Sequence, residues 1–193
     1  FISNPSSGKM GYSFAKVGRW MGADVRLISG PTLLPEPFGV SVEYVTSASE
    51  MLQAVKKWIK DADIIIKSAA VCDFRPKKRI KGKIKKEEGV PEIELERTEG
   101  ILKEIKPLKG RRILVGFAAE TASLEKNALK KLKEKGLDFI VANDVSRKDI
   151  GFESDENEGY LFSTSGEKIH IPRCSKEEFA FRVLEIVSRK ILQ

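Results

Sequence analysis

The sequence is poor in the side chains that most often mark metal or redox chemistry. Its 193 residues hold two cysteines, Cys72 and Cys174, and one histidine, His170. Two cysteines this far apart give neither a disulfide framework nor a metal-ligand spacing, and a reduced, cytoplasmic compartment is the expectation. His170 stands between Ile169 and Ile171 in a short strand-like run and is expected to face solvent, which argues against a His-dependent triad or a zinc site. Long apolar runs are also lacking. Ile64 to Ile66 and Ile113 to Val115 fall far short of the about 20 residues that cross a bilayer, so no membrane partner is expected. No secretory signal is visible, and no internal repeat. The first residues read as the interior of a motif, so an upstream segment is expected to have been removed.

What is present suffices for a globular domain. Apolar residues make up 41% of the chain, enough for a core, and the reading is a single domain over 1–193. The net charge of +7 suggests nucleic acid until it is located. Residues 75 to 86 (RPKKRIKGKIKK) hold eight Lys or Arg and no acid, so 27 bases face 28 acids elsewhere. The positive field is one segment rather than a face. A nucleic-acid module would place bases and aromatics along a groove, so no nucleic-acid partner is expected.

Short β-branched runs predict buried strands at Asp24 to Ser29, Ala62 to Ser68, Arg111 to Phe117 and Asp138 to Ala142. Helical patterns lie between and around them. Phe14, Val17 and Met21 share one face; Met51, Leu52, Val55 and Ile59 a second; Leu124, Ala128, Leu129 and Leu132 a third, ending at Gly136. A last helix over about 175–191 presents Phe179, Val183, Ile186 and Val187. The alternation predicts an α/β, Rossmann-like, mostly parallel sheet with helices on both faces. Two regions break the rhythm. Residues 74–91, rich in Lys, Pro and Gly, read as a mobile basic flap. Residues 158–171, with a Ser-Gly turn, read as a β-hairpin at a sheet edge.

Five segments carry possible chemistry. Ile2 to Gly11 (ISNPSSGKMG) runs into a helix, and its small residues suit an anion site at a helix amino end; a Ser-capped helix start is the plainer alternative. Ser68 to Pro76 (SAAVCDFRP) follows a buried strand, where open α/β sheets bind ligands. There Asp73 either accepts from an exocyclic amine, a ribose hydroxyl or a hydrated cation, or caps a turn before Pro76. In Val115 to Thr121, Phe117 either stacks on a base or fills the core, and Glu120 is a capping candidate. The basic flap either is solvated or closes over a triphosphate with Lys83, Lys85 and Lys86. Lys131 and Lys135, four apart, share a helical face that is either functional or solvated. A dinucleotide-dependent oxidoreductase is the rival enzyme class, but it should show GxGxxG, where this chain reads SSGKMG.

In this order, ISNPSSGKMGY, GADVRLISGP, AAVCDFRP, KIKK, VGFAAET and DFIVAND closely resemble the motifs of the phosphopantothenoylcysteine synthetases, over nearly the whole chain. That resemblance implies a ligase that joins 4′-phosphopantothenate to L-cysteine through an acyl-cytidylate, with CTP as co-substrate (ATP in the alternative) and Mg²⁺. It further implies a homodimer, with residues 158–171 as the expected contact. A flavin-dependent decarboxylase half is implied in a longer protein; FMN belongs to that half alone. Position by position, it implies catalytic roles for Asn4 and Lys83. A phosphate loop is implied at Ser6, Ser7, Gly8, Lys9, Met10 and Gly11, and nucleotide contacts at Ala69, Asp73, Gly100, Ile101, Phe117, Lys131 and Lys135. Asn143 matches the asparagine of an Ala-Asn-Asp motif. Two departures stand out. Cys72 replaces a small residue, and Thr98-Glu99-Gly100-Ile101 stands where the family has Asn-Pro-Asp-Ile. No metal ligand is assigned.

Overall fold

The computed structural model describes residue 4 and residues 6–78, 92–144 and 154–191. Lys83 and the greater part of the expected flap lie outside the described residues.

The elements follow in the order α1 (Lys9–Trp20), β1 (Arg26–Ser29), β2 (Ser41–Tyr44), α2 (Ala48–Trp58), β3 (Ile64–Lys67), β4 (Phe74–Pro76), β5 (Leu95–Arg97), α3 (Ile101–Ile105), β6 (Ile113–Glu120), α4 (Leu124–Lys135), β7 (Phe139–Asp144), β8 (Glu156–Ser163), β9 (Lys168–Ser175) and α5 (Lys176–Ser188). The main sheet runs β3-β6-β7-β8-β9. β3, β6 and β7 are parallel, joined by crossovers that carry helices. β8 and β9 close the sheet antiparallel, because a short turn joins them. β1 and β2 form a separate parallel pair, and β4 and β5 an antiparallel ribbon.

Strand periodicity divides the core into two layers. Leu114, Ala118, Ile140 and Phe162 pack with Met51 and Leu52 of α2, Ile101 and Ile105 of α3, and Ala128 and Leu132 of α4. Ile113, Val115, Val141 and Leu161 pack on the opposite face with Phe14 and Val17 of α1 and Phe179, Val183 and Val187 of α5. Fully burying each large aliphatic or aromatic side chain contributes about 1.5–3 kcal/mol, so these two layers carry most of the fold. The α/β class with helices on both faces is the one the sequence predicts.

Local signals set the ends of the helices. Ser47 caps α2 by accepting from Glu50 N at 3.2 Å, and Glu50 accepts from Thr46 N at 2.7 Å, a reciprocal arrangement close to a capping box. Ser175 caps α5 through Glu178 N at 3.1 Å. α4 ends at Gly136, with φ of 65°, and Leu137 N donates back to Leu132 O at 3.0 Å, which is a Schellman ending. Two helical faces differ from expectation. Met21 and Leu129, placed by periodicity with their buried neighbours, are exposed. Met21 follows the last residue of α1, where the helix leaves the core, and Leu129 lies at the margin of the α4 stripe.

Candidate functional site

The segment entering α1 lies at the carboxyl end of β3. Gly8 is the residue before the helix and adopts φ of +77°, a left-handed conformation that glycine takes without strain. It offers no side chain to cap the first turn. Ser7 Oγ accepts from Lys9 N at 3.4 Å, and Thr32 Oγ1 donates to Ser7 O at 3.2 Å. The helix start is therefore glycine-entered rather than serine-capped, with Ser7 giving one long contact. Asn4 Nδ2 donates to Ala70 O at 3.0 Å, which ties this segment to the loop after β3. A β-carbon on Gly11 would stand 3.0 Å from Ser68 Oγ, so the first turn approaches β3 closely because that residue is glycine.

The neighbouring side chains of the loop face the β8 end of the sheet. Lys9 pairs with Asp155 at 2.7 Å, holding that carboxyl below its usual range. Asn157 Nδ2 donates to Met10 Sδ at 3.7 Å. Lys176, at the start of α5, is buried and donates to Ser154 O. Burial, with Lys9 nearby, brings its ammonium down to about 8, against the pull of Asp155.

On the α4 face, Glu120 is the last residue of β6 and does not cap α4, which starts from Ser123. Instead it accepts from Lys131 Nζ at 2.6 Å and from Asn127 Nδ2 at 2.9 Å. Burial pushes the Glu120 carboxyl up, but the Lys131 and Asn127 hydrogen bonds outweigh it and leave it below the usual carboxylate value. Asp73 is exposed at the entry to β4, and its carbonyl accepts from Thr98 N at 2.9 Å. Thr98 Oγ1 donates to Cys72 O at 2.5 Å, so the departure residues Cys72 and Thr98 brace one another.

Of the residues named from sequence, Asn4, Ser6 to Gly11 and Ala69 gather where α1 meets the β3 end, with Asp73 close behind. Lys131 and Lys135 belong to the α4 face. Phe117 points to the other face of the sheet and meets Phe14 edge-on, ring centroids 5.6 Å apart. Gly100 precedes α3, and the Ile101 side chain is buried in the core, so only its backbone can reach a ligand. Asn143 lies in β7.

One neighbour was absent from the sequence reading. Lys67 ends β3 and is half-buried. Burial lowers its ammonium from the usual lysine value; Asp73 opposes the shift, and Lys135 and Lys131 add to it. The signal for it was a lysine continuing the alternation of an apolar strand. Among the described residues no three His, Cys, Asp or Glu side chains converge as a metal site.

Comparison with known proteins gives the family. The model for the DNA/pantothenate metabolism flavoprotein C-terminal domain matches residues 1–191. The coenzyme A biosynthesis bifunctional protein of Bacillus subtilis is 45% identical over 190 residues, covering 97% of this chain and 47% of its own length. Its Mycobacterium tuberculosis (strain ATCC 25618 / H37Rv) counterpart is 40% identical over 199 residues, with the same coverage. The chain thus spans about half the length of the curated relatives it matches. The crystal structure of the C-terminal domain of a coenzyme A biosynthesis bifunctional protein superimposes with a TM-score of 0.83 at 41% identity, covering 99% of this chain and 86% of that one. A Cab2 variant in complex with phosphopantothenate-cysteine shares the fold, with a TM-score of 0.75 at 17% identity, covering 98% of this chain and 79% of that one. With a family model matched over nearly all its residues and relatives this similar along its length, the chain belongs to the DNA/pantothenate metabolism flavoprotein C-terminal domain family.

Proposed function

We propose that the chain is a phosphopantothenate–cysteine ligase of coenzyme A biosynthesis that uses CTP. The observation that carries this reading is the glycine-entered amino end of α1 held against the carboxyl end of β3 by Asn4 and Ala70. A helix amino end presents N–H groups and partial positive charge to an anion, and its place at a strand end is where α/β sheets bind nucleotides. The family assignment, and its relatives among the bifunctional proteins of coenzyme A biosynthesis, support the same reading.

A carboxylate is a poor acyl donor. In the proposed first step the carboxylate oxygen of 4′-phosphopantothenate attacks the α-phosphorus of CTP, and pyrophosphate leaves with its electron pair. The cysteine amine then attacks the acyl carbon of the acyl-cytidylate. The C–O bond to CMP breaks, the amide forms and the amine proton passes to solvent. Both steps require the reactants to be held in line and the developing charge to be neutralised. Ser6 to Gly11 would hold phosphates. Asp73, exposed beyond β3, would accept from the base or ribose. Lys83 would neutralise charge in the first step. Asn4, its amide fixed by the Ala70 carbonyl, would donate to the oxyanion in the second. Mg²⁺ bound with the triphosphate would need few protein ligands and would neutralise phosphate charge; among the described residues no three His, Cys, Asp or Glu side chains converge as a metal site.

The proposal extends to a homodimer and to a longer protein whose other half is the FMN-dependent decarboxylase. It also takes the cytoplasm as the location; no helix among the described residues is long and apolar enough to cross a membrane. For the dimer, β9 is the edge of the main sheet, but Pro172 removes a donor from it. A second copy would therefore dock there mainly through side chains.

A pyrophosphate-release assay with 4′-phosphopantothenate tests the reading, run with CTP and with ATP, each with and without cysteine. Release with CTP before cysteine is added is the expected result. Lys83→Gln should lower that release at least about a hundredfold. Asn4→Asp should keep the release and slow amide formation about tenfold or more. Wild-type turnover by Lys83→Gln would remove its assigned role, and no release with either nucleotide would end the reading.

A further inference from the structure

We propose that Lys67 is an anion-binding residue of the ligand site, taking a phosphate oxyanion of the bound substrate as the ion-pair partner that the described residues do not supply. The inference rests on the triphosphate-dependent reading above and adds to it a residue that the family motifs do not mark.

Side chains alternate across a sheet. Ile64 and Ile66 pack on the α1 and α5 side, and Ile65 packs on the side of α2, α3 and α4. Lys67 therefore continues the face of Ile65, the face that also carries Glu120, Lys131 and Lys135. Its register partner on β6 is Gly116, with Ala118 beyond it on the same face, so small residues border it. Three lysines thus share one side of the sheet with two nearby carboxylates, Asp73 and Glu120. Glu120 is already engaged by Lys131 and Asn127. Among the described residues, neither Lys67 nor Lys135 has a carboxylate within ion-pair distance.

A half-buried ammonium that is not paired is costly, because the charge has lost water without gaining a partner. A purely structural role would be served better by an apolar residue completing the Ile64–Ile66 run. The lysine makes sense when an anion arrives, since each ammonium then gains a contact in a site partly shielded from water. The phosphate can come from the nucleoside triphosphate or from 4′-phosphopantothenate; the chemistry is the same and the source is separable by experiment.

Isothermal titration of the chain with CTP and, separately, with 4′-phosphopantothenate distinguishes the outcomes, using wild type, Lys67→Met and Lys67→Arg. Lys67→Met is expected to weaken one ligand at least tenfold and to make its affinity less dependent on salt, and Lys67→Arg to restore most of the loss. The ligand that weakens identifies the phosphate. Melting of the ligand-free protein supplies the control. Lys67→Met should melt at the same temperature or higher, since a half-buried charge with no ion-pair partner among the described residues has gone, while its gain in melting temperature on ligand addition shrinks. Unchanged affinity for both ligands in Lys67→Met, beside a wild type that binds CTP, overturns the role of Lys67 and leaves the ligase reading standing. A lower ligand-free melting temperature that the arginine variant fully corrects, without change in affinity, also overturns it. A wild type that binds no nucleoside triphosphate removes the ligase reading and the inference built on it.

Discussion

The hairpin of β8 and β9 and the end of β3 belong to one sheet and are both rich in charge, yet they handle it in opposite ways. Along the hairpin each basic side chain stands against an acidic one. Arg173 reaches Glu156 at 2.5 Å, Lys168 reaches Glu125 at 2.5 Å, and His170 Nε2 lies 3.2 Å from Glu158 and against the Tyr160 ring. At the β3 end, Lys67 and Lys135 gather without such a partner among the described residues, and the one engaged carboxylate, Glu120, is taken by Lys131. Paired charge decorates a surface at little cost. Unpaired, half-buried charge lowers stability, and its persistence is the mark of a group kept for something that binds.

If the hairpin is held by backbone fit rather than by its charges, steric change there should have the largest effect. A β-carbon on Gly159 would stand 2.6 Å from Ala142 O and 3.4 Å from Asn143 Cβ, and the former is backbone that cannot swing aside. The position also adjoins the register shift between Asn157 and Gly159. Gly159→Ala is expected to cost about 1–3 kcal/mol of stability, read by urea unfolding; a cost near zero would show that the β7–β8 contact yields easily. Glu120→Gln comes next and sharpens the other side. Removing the carboxylate leaves Lys131 without its pair, for a loss of about 1 kcal/mol at neutral pH. The same change releases one more cation to a ligand, so CTP affinity should hold or rise severalfold. The pH dependence has a definite sign. The Glu120 carboxyl is lowered in the fold, so its contribution is complete above the usual carboxylate value and disappears as pH falls through the depressed one. The wild-type and Glu120→Gln stability curves should therefore converge in acid. A fall in CTP affinity on this substitution would mean that Glu120, not its lysine, faces the ligand.

Legibility in the sequence followed the same physical division. β1, β3, β6 and β7 were readable because each is a short apolar run in a parallel pairing, although only β6 and β7 are largely buried while β3 is half-buried and β1 stands in the separate pair with β2, and α1, α2, α4 and α5 because their apolar stripes are long enough to show a period. β2 (Ser41–Tyr44) and α3 (Ile101–Ile105) were missed because four or five residues carry too little period, and tertiary packing decides them. β4 was hidden inside the segment read as polar flap, and β5 (Leu95–Arg97) lies just beyond it with too few residues to show a period; their cross-strand pairing of Arg75 with Glu96 at 2.8 Å needs a partner 21 residues away. In the site, the loop before α1 stood out because small residues lead into a helix. Lys67 did not, since a lysine at the end of Ile64 to Ile66 reads locally as nothing more than the strand reaching water. Glu120 was taken for a cap because its proximity to a helix start is visible in sequence, whereas its bond to Lys131 crosses from strand to helix and is not. Phe117 could be read either for a base or for the core; its half-buried ring meets Phe14 edge-on and packs against the core layer, and contact with a base stays a proposal.

The smallest expected effect is the most direct test of the hairpin's part in this contrast. Arg173 Nε and Nη2 both reach Glu156 Oε2, at 2.7 and 2.5 Å, from adjacent strands, and both side chains are nearly half exposed. Water already screens such a pair, and two long side chains lose freedom to form it. A double-mutant cycle with Arg173→Ala and Glu156→Ala should return a coupling of about 0.2–1 kcal/mol, falling further in high salt. Lys67 should respond in the opposite direction, because its removal takes away a charge that has no ion-pair partner among the described residues rather than a satisfied one. A coupling of several kcal/mol in the hairpin would place its charges among the forces that hold the fold, and the rule that pairing marks structure while its absence marks binding would then lose its basis in this molecule.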